Sequence, residues 1–228
     1  MSLPAALPRP AALIFDLDGT LVDTAPDLAR ATNELRQHHG LPLLDYDVIR
    51  AEVSHGGSAL VMLALGFALE HPQHAEERTR LLAFYANDVA AESVLFPGYD
   101  VLIAACERAS LPWGIVTNKP RQFAAPLIEA LQLTPGCLLC ADDLPVKKPH
   151  PEPLWEAARR LNAEATECWY LGDHDRDMQA ARAAGMLAVA VRYGYVRIGD
   201  DVDAWPADVW FDTSEEVVNA ALRAAGLH

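Results

Sequence analysis

Near the start of the chain an apolar run ends on two acids one residue apart, in Leu13-Ile14-Phe15-Asp16-Leu17-Asp18-Gly19. Residues two apart on a strand point the same way, so Asp16 and Asp18 are expected to face one spot. Three later apolar runs are also followed by polar clusters: Thr117-Asn118-Lys119-Pro120, the segment from Lys147 to Pro153, and Gly172-Asp173-His174-Asp175-Arg176-Asp177. If Asp173 arrives beside Asp16 and Asp18, the carboxylates repel one another unless a cation sits among them. An acidic, all-oxygen donor set selects a hard cation, and Mg2+ that keeps some of its waters fits best. Thr117 and Asn118 supply hydrogen-bond donors and Lys148 supplies positive charge. Together with the metal they could hold three phosphate oxygens.

Such a site needs a scaffold that brings distant segments to one edge. Six short apolar runs serve as candidate strands: Ala12–Phe15, Trp113–Val116, Cys137–Cys140, Trp169–Leu171, Leu187–Val191 and Val209–Phe211. They are continuous rather than alternating, as expected for strands buried on both faces of a parallel sheet. Helical patterns lie between them, the last opening with a possible capping box from Thr213 to Glu216. Alternating strands and helices predict an α/β fold, a doubly wound, Rossmann-like parallel sheet, whose ligands bind beyond the carboxyl ends of the strands. One interval breaks this rhythm. From about Val22 to Val94 no convincing strand occurs, and helices are expected near 24–39, 45–53, 58–70 and 75–91. The expected organisation is a catalytic core of residues 1–20 plus 95–228, with a helical cap of residues 21–94 inserted after the first strand.

The composition narrows the functions available. The chain has 228 residues, is 51% apolar and carries a net charge of −14. That charge argues against a nucleic-acid partner, and it requires any anion site to be built locally. The apolar runs are too short for a membrane span, and the segment through Pro4, Pro8 and Pro10 reads as an extended tail without the apolar region of a signal peptide. Cys106, Cys137, Cys140 and Cys168 read as reduced thiols of a cytoplasmic protein, and Cys137-Leu138-Leu139-Cys140 lacks the second ligand pair of a zinc site. The alternating acids from Asp173 to Asp177 resemble the start of a calcium loop, but Met178 and Ala184 occupy positions where glycine and glutamate are required. Lys119, Arg121 and Lys147 read as solvated charges, and His38-His39 as an exposed helix end. His55-Gly56-Gly57 lies ahead of a helix in the inserted block. There it is either a turn or a place where backbone approaches a ligand.

The four segments, in order and each at a strand end, resemble the motifs of the haloacid dehalogenase (HAD) superfamily phosphatases. The resemblance spans nearly the whole chain, including the inserted cap. It implies that Asp16 is the nucleophile and forms an aspartyl-phosphate. Asp18 would be the general acid and then the base. Thr117, Asn118 and Lys148 would hold the phosphoryl group, Lys148 being the lysine that directly precedes Pro149. Asp16, Asp18 and Asp173 would bind Mg2+, with Asp177 supporting the metal or Lys148. His174 stands where relatives often carry a small residue, which bears on the fine geometry of the metal shell. The function implied is a Mg2+-dependent phosphatase of a small phosphorylated metabolite. A phosphosugar mutase shares all four motifs, whereas a dehalogenase would lack Asp18 and metal. The segments around Asp16, Thr117 and Asp173 look most like phosphoglycolate phosphatases. Trp113–Ile128, Val191–Val196 and Trp205–Asp212 also resemble N-acetylmuramic acid 6-phosphate phosphatases. The cap residues His55, Gly56 and Gly57 would then contribute to substrate choice.

Overall fold

The computed structural model describes residues 7–197 and 199–227, so Pro4 and the start of the expected tail lie outside the described residues. In chain order the elements are β1 (Ala12–Phe15), β2 (Val22–Asp23), α1 (Ala25–His38), α2 (Tyr46–Arg50), α3 (Gly56–Leu65), α4 (His74–Asn87) and β3 (Val94–Leu95). They continue with α5 (Tyr99–Ala109), β4 (Trp113–Val116), α6 (Arg121–Ala130), β5 (Cys137–Leu139), α7 (Glu152–Arg160), β6 (Cys168–Gly172), α8 (Asp175–Ala184), β7 (Leu187–Val191), β8 (Val209–Phe211) and α9 (Ser214–Ala225).

Six strands form one sheet in the order β5-β4-β1-β6-β7-β8. Every pairing within it is parallel. Its strands need apolar side chains on both faces, which accounts for the continuous apolar runs. In β1, Leu13 and Phe15 enter one buried cluster with residues of α5, α6 and α9, while Ala12 and Ile14 enter the other with residues of α7 and α8. β1 is central, flanked by β4 and β6, so the chain leaving it emerges between the ends of both neighbours. α9 opens with the expected capping box of Thr213 and Glu216.

The long interval without a sheet strand holds α1 to α4, bracketed by a two-residue antiparallel ladder between β2 and β3. These helices share a cluster that includes Leu28, Leu35, Ile49, Leu60, Leu81 and Tyr85, joined by Phe123 of α6 and Tyr195. The helices are shorter than the sequence pattern suggests. α2 stops at Arg50, and α3 begins at Gly56, whose φ of +78° breaks the run. The 20-residue stretch Tyr46–Leu65 reaches a mean hydropathy of 1.2 and meets a length-and-composition test for a membrane span. It is nevertheless three pieces, α2, a 3-10 turn at Val53–His55 and α3, rather than one rod.

Candidate active site

Asp16 is the first residue after β1. Its amide donates to Leu171 O of β6 at 2.8 Å, which carries the sheet's register into the site. One carboxylate oxygen, Oδ1, accepts from the Leu17 amide at 2.7 Å and pairs with Lys148 Nζ at 2.9 Å. Lys148 has no exposed side-chain surface and also pairs with Asp177 Oδ1 at 2.7 Å. Its ammonium donates to Tyr170 Oη at 2.7 Å, and that hydroxyl donates to Val116 O at 3.0 Å. A buried lysine is tolerated only when paired and hydrogen-bonded, and here all three of its protons have acceptors. Asn118 holds the same segment, its Nδ2 donating to Lys148 O at 2.9 Å. Thr117 is buried, and its amide donates to Leu139 O of β5 at 2.9 Å.

Asp173 follows β6 and is also buried. It accepts from the Tyr195 amide at 2.9 Å, from Ser54 Oγ at 3.1 Å and from Thr20 Oγ1 at 3.4 Å. Ligand atoms of Asp16, Asp173 and Asp177 lie within 4.8 Å of one another. Burial, with repulsion from Asp16 and Asp177, pushes the Asp173 carboxyl up to about 7. Burial also raises Asp16 to about 6, against the opposing pull of Lys148. Backbone without side chains makes room for this crowding. A Cβ on Gly19, whose φ is +79°, would come within 2.2 Å of Asp173 Oδ2, and one on Gly194 within 2.2 Å of Asp173 Cβ. The Asp-Gly step at 18–19 is thus set by the neighbouring carboxylate as well as by the turn.

Asp18 stands apart from that cluster. β1 ends at Phe15, and by Asp18 the chain has already turned to bridge with Val22. The expectation that the Asp16 and Asp18 side chains share one direction assumed that the strand continued, and the carboxylate cluster forms without the Asp18 side chain. Instead Asp18 Oδ1 accepts from Thr24 Oγ1 at 2.6 Å and from Lys119 Nζ at 2.8 Å. Lys119 is therefore not the solvated charge its sequence context suggests. Its side chain is 7% exposed and its ammonium lies 4.7 Å from the ring centroid of Tyr85 on α4. Burial opposes its charge, but Asp18 and Tyr85 outweigh burial and raise its pKa.

A cavity of about 330 Å3 opens above these groups. Asp16, Asp18, Thr117, Asn118 and Lys119 line it from the sheet side, and His55, Gly56, Gly57, Arg78 and Tyr85 from the helical block. His55 packs against His174, ring centroids 5.2 Å apart. Its pKa is lowered, first by burial and then by Arg197. His174 caps α8 by accepting from the Arg176 amide at 3.2 Å, and burial lowers its pKa to about 4.

The chain matches the model of the haloacid dehalogenase-like hydrolases over residues 13–191. The chain belongs to this family. Among its relatives is an N-acetylmuramic acid 6-phosphate phosphatase of Pseudomonas aeruginosa, 40% identical over 93% of this chain and 95% of that one. A phosphoglycolate phosphatase of Xanthomonas campestris pv. campestris is 42% identical over 88% of this chain and 91% of its own length. The fold matches the crystal structure of a predicted phosphoglycolate phosphatase from Haemophilus somnus. The TM-score is 0.80 at 24% identity, with 94% of this chain and 99% of that one covered.

Several residues of this hydrolase site carried no separate signal in the sequence. Arg176 sits inside the last motif, yet its Nη2 donates to Ser54 O at 2.7 Å and joins α8 to the helical block. Tyr195 accepts at its hydroxyl from the Thr24 and Ala25 amides at 2.6 and 2.9 Å, and donates to Asp23 Oδ1 at 2.8 Å. It thereby links the Asp173 carboxylate to the start of α1. Arg50 adds to this link by donating to Tyr193 O at 2.8 Å.

Proposed function

We propose that this hydrolase is a divalent-metal-dependent phosphatase that cleaves small phosphate monoesters through a covalent phosphate on Asp16. The observation that carries the reading is Lys148. Its buried ammonium holds Asp16 at the end of the central strand and Asp177 beside it. That arrangement neutralises a nucleophilic carboxylate and leaves it facing a cavity. The metal assignment rests on the donor set. Asp16, Asp173 and Asp177 offer only oxygens, their crowding raises the Asp16 and Asp173 pKa values, and Asp177 Oδ2 is buried without a partner. These donors fit Mg2+, which when bound would offset charge on the phosphoryl oxygens.

The residues then divide the work. An Asp16 oxygen attacks phosphorus as the bond to the leaving oxygen breaks, and Asp18 passes its proton to that oxygen. Water next attacks the phosphorus of the phospho-Asp16. Asp18 accepts the water's proton, the bond to Asp16 breaks and inorganic phosphate leaves. Thr117 and Asn118 hold the phosphoryl oxygens, and Lys148, whose three protons are otherwise taken by Asp16, Asp177 and Tyr170, exchanges one of these acceptors for a phosphoryl oxygen. Asp18 is carried on a separate turn, where Lys119 and Thr24 orient its carboxylate at the cavity for acid and base work. Residues 21–94 act as a cap that covers the site and, through His55, Gly56 and Gly57, meets the leaving group.

The relatives' names support a phosphorylated hydroxy acid as substrate, either phosphoglycolate or N-acetylmuramic acid 6-phosphate. A cavity of about 330 Å3 admits a leaving group larger than two carbons. Phosphate release from p-nitrophenyl phosphate, with and without Mg2+, tests the class. Asp16→Asn is nearly isosteric and is expected to abolish turnover while the protein stays folded. A variant that kept a substantial share of the wild-type rate would refute covalent catalysis by Asp16.

A further inference from the structure

We infer that Arg78 makes this enzyme selective for phosphate monoesters whose leaving alcohol carries a carboxylate. The inference rests on the phosphatase reading above and adds to it the residue that recognises the carboxylate of the leaving group. It starts from a local reversal of charge. The chain carries −14 overall, yet the cavity is lined by four cations, Arg78, Lys119, Lys147 and Arg176, and by two acids, Asp16 and Asp18. Both acids already have cationic partners, Lys148 and Lys119 respectively. Arg176 is engaged with the Ser54 carbonyl.

Arg78 is different. It projects from α4 and lies beside Gly57, with its Cγ and Nε each 3.7 Å from where a Cβ on that glycine would sit. Among the described residues no carboxylate lies within ion-pair distance of it. Its neighbours on α4, by contrast, form a paired network, with Arg80 held by Glu76 and Glu77. A guanidinium presents a rigid fork of donors that matches a carboxylate in a bidentate pair. The transferring phosphoryl group has its own partners on the sheet side. A free guanidinium on the helical side of the same cavity is therefore available to the part of the substrate that leaves. Lys147 also has no ion-pair partner among the described residues, but it lies next to Lys148 on the segment after β5 rather than on the helical block.

The test uses matched substrates that differ in the carboxylate. One pair is 2-phosphoglycolate against 2-hydroxyethyl phosphate. The other is N-acetylmuramic acid 6-phosphate against N-acetylglucosamine 6-phosphate. For each pair the readout is the ratio of kcat/KM for the acid to kcat/KM for its carboxylate-free partner. Wild type is expected to favour the acid in at least one pair. Arg78→Met is expected to lower that ratio about tenfold, mainly through KM, and Arg78→Lys to lower it less, because lysine keeps the charge but not the fork. Thermal unfolding of both variants checks that the fold is retained, as expected for an exposed side chain. Wild type with no preference for the acid in either pair would overturn the inference, as would an equal loss on both members of a pair in Arg78→Met. Hydrolysis of the carboxylate-free substrates stands as evidence for the phosphatase reading in either case, so failure of the selectivity is separable from failure of the activity.

Discussion

Asp173→Asn should stabilise the metal-free protein, and the gain should grow with pH. The Asp173 carboxyl is raised from 3.8 to about 7 by burial and by its neighbours Asp16 and Asp177. An acid whose folded pKa lies above its unfolded value favours the folded state while protonated. That contribution is fully present below pH 3.8 and is lost as the pH rises through about 7. At about 1.36 kcal/mol per pH unit, the full loss is on the order of 4 kcal/mol. That is a large share of a net stability of roughly 5–15 kcal/mol, and for a chain of this size it corresponds to a melting-temperature change on the order of 10 °C. Asparagine removes the charge and keeps the shape. Its oxygen can still accept from the Tyr195 amide, and its amide can donate to the Thr20 hydroxyl. Asp16 titrates over part of the same range, so the comparison between wild type and variant, not the wild-type curve alone, isolates Asp173. The assay is thermal unfolding from pH 4.5 to 8.5 in a chelator, repeated with millimolar Mg2+. In chelator the variant's advantage should be smallest at pH 4.5 and reach its plateau above pH 8. Added Mg2+ should raise the wild-type melting temperature more at pH 8 than at pH 5, by mass action on a deprotonated site, and should have little effect on the variant. An advantage that is flat with pH or largest in acid would refute the reasoning, as would a variant less stable than wild type at pH 8 in chelator.

Two further outcomes follow from Asp18 and its partner. Asp18→Asn should lower kcat for alkyl phosphates by about 10^2- to 10^4-fold, the usual contribution of a general acid, and should cost much less with p-nitrophenyl phosphate, whose leaving group needs no proton. Equal losses on both substrates in steady-state assays would remove Asp18 from that role. Lys119→Met should destabilise the protein by about 2 kcal/mol in urea unfolding, since it strips Asp18 of a charged hydrogen bond in a nearly buried setting. It should also reduce kcat on alkyl phosphates more than on p-nitrophenyl phosphate, and stability equal to wild type would show that the pair contributes nothing.

Much of the architecture was legible along the chain because its signals are local. A strand covered on both faces needs consecutive apolar residues, so Ala12–Phe15 and Leu187–Val191 stood out without knowledge of their neighbours. Thr213 and Glu216 announced the start of α9 because a capping box is complete within four residues. Asp16, Thr117 and Asp173 were visible as polar residues that end apolar runs, and the parallel topology explains why such ends meet, whereas Lys148 lies beyond a loop and was picked out by the family motif in which it directly precedes Pro149. Tertiary structure decided which of those groups touch. Asp18 looks like the twin of Asp16 in sequence, yet the strand ends at Phe15, and the turn through Gly19 carries Asp18 to Lys119, 101 residues away. Lys119 read as solvated because nothing adjacent covers it; Tyr85 of α4 does. The same holds for Ser54 on Asp173, 119 residues apart, and for the Tyr195 hydroxyl at the Thr24 amide, 171 residues apart. Burial and pairing of a charge depend on which surface closes over it. Periodicity and turn chemistry reach only a few residues along the chain, so the motif could be read in one dimension and the electrostatics of the site only in three.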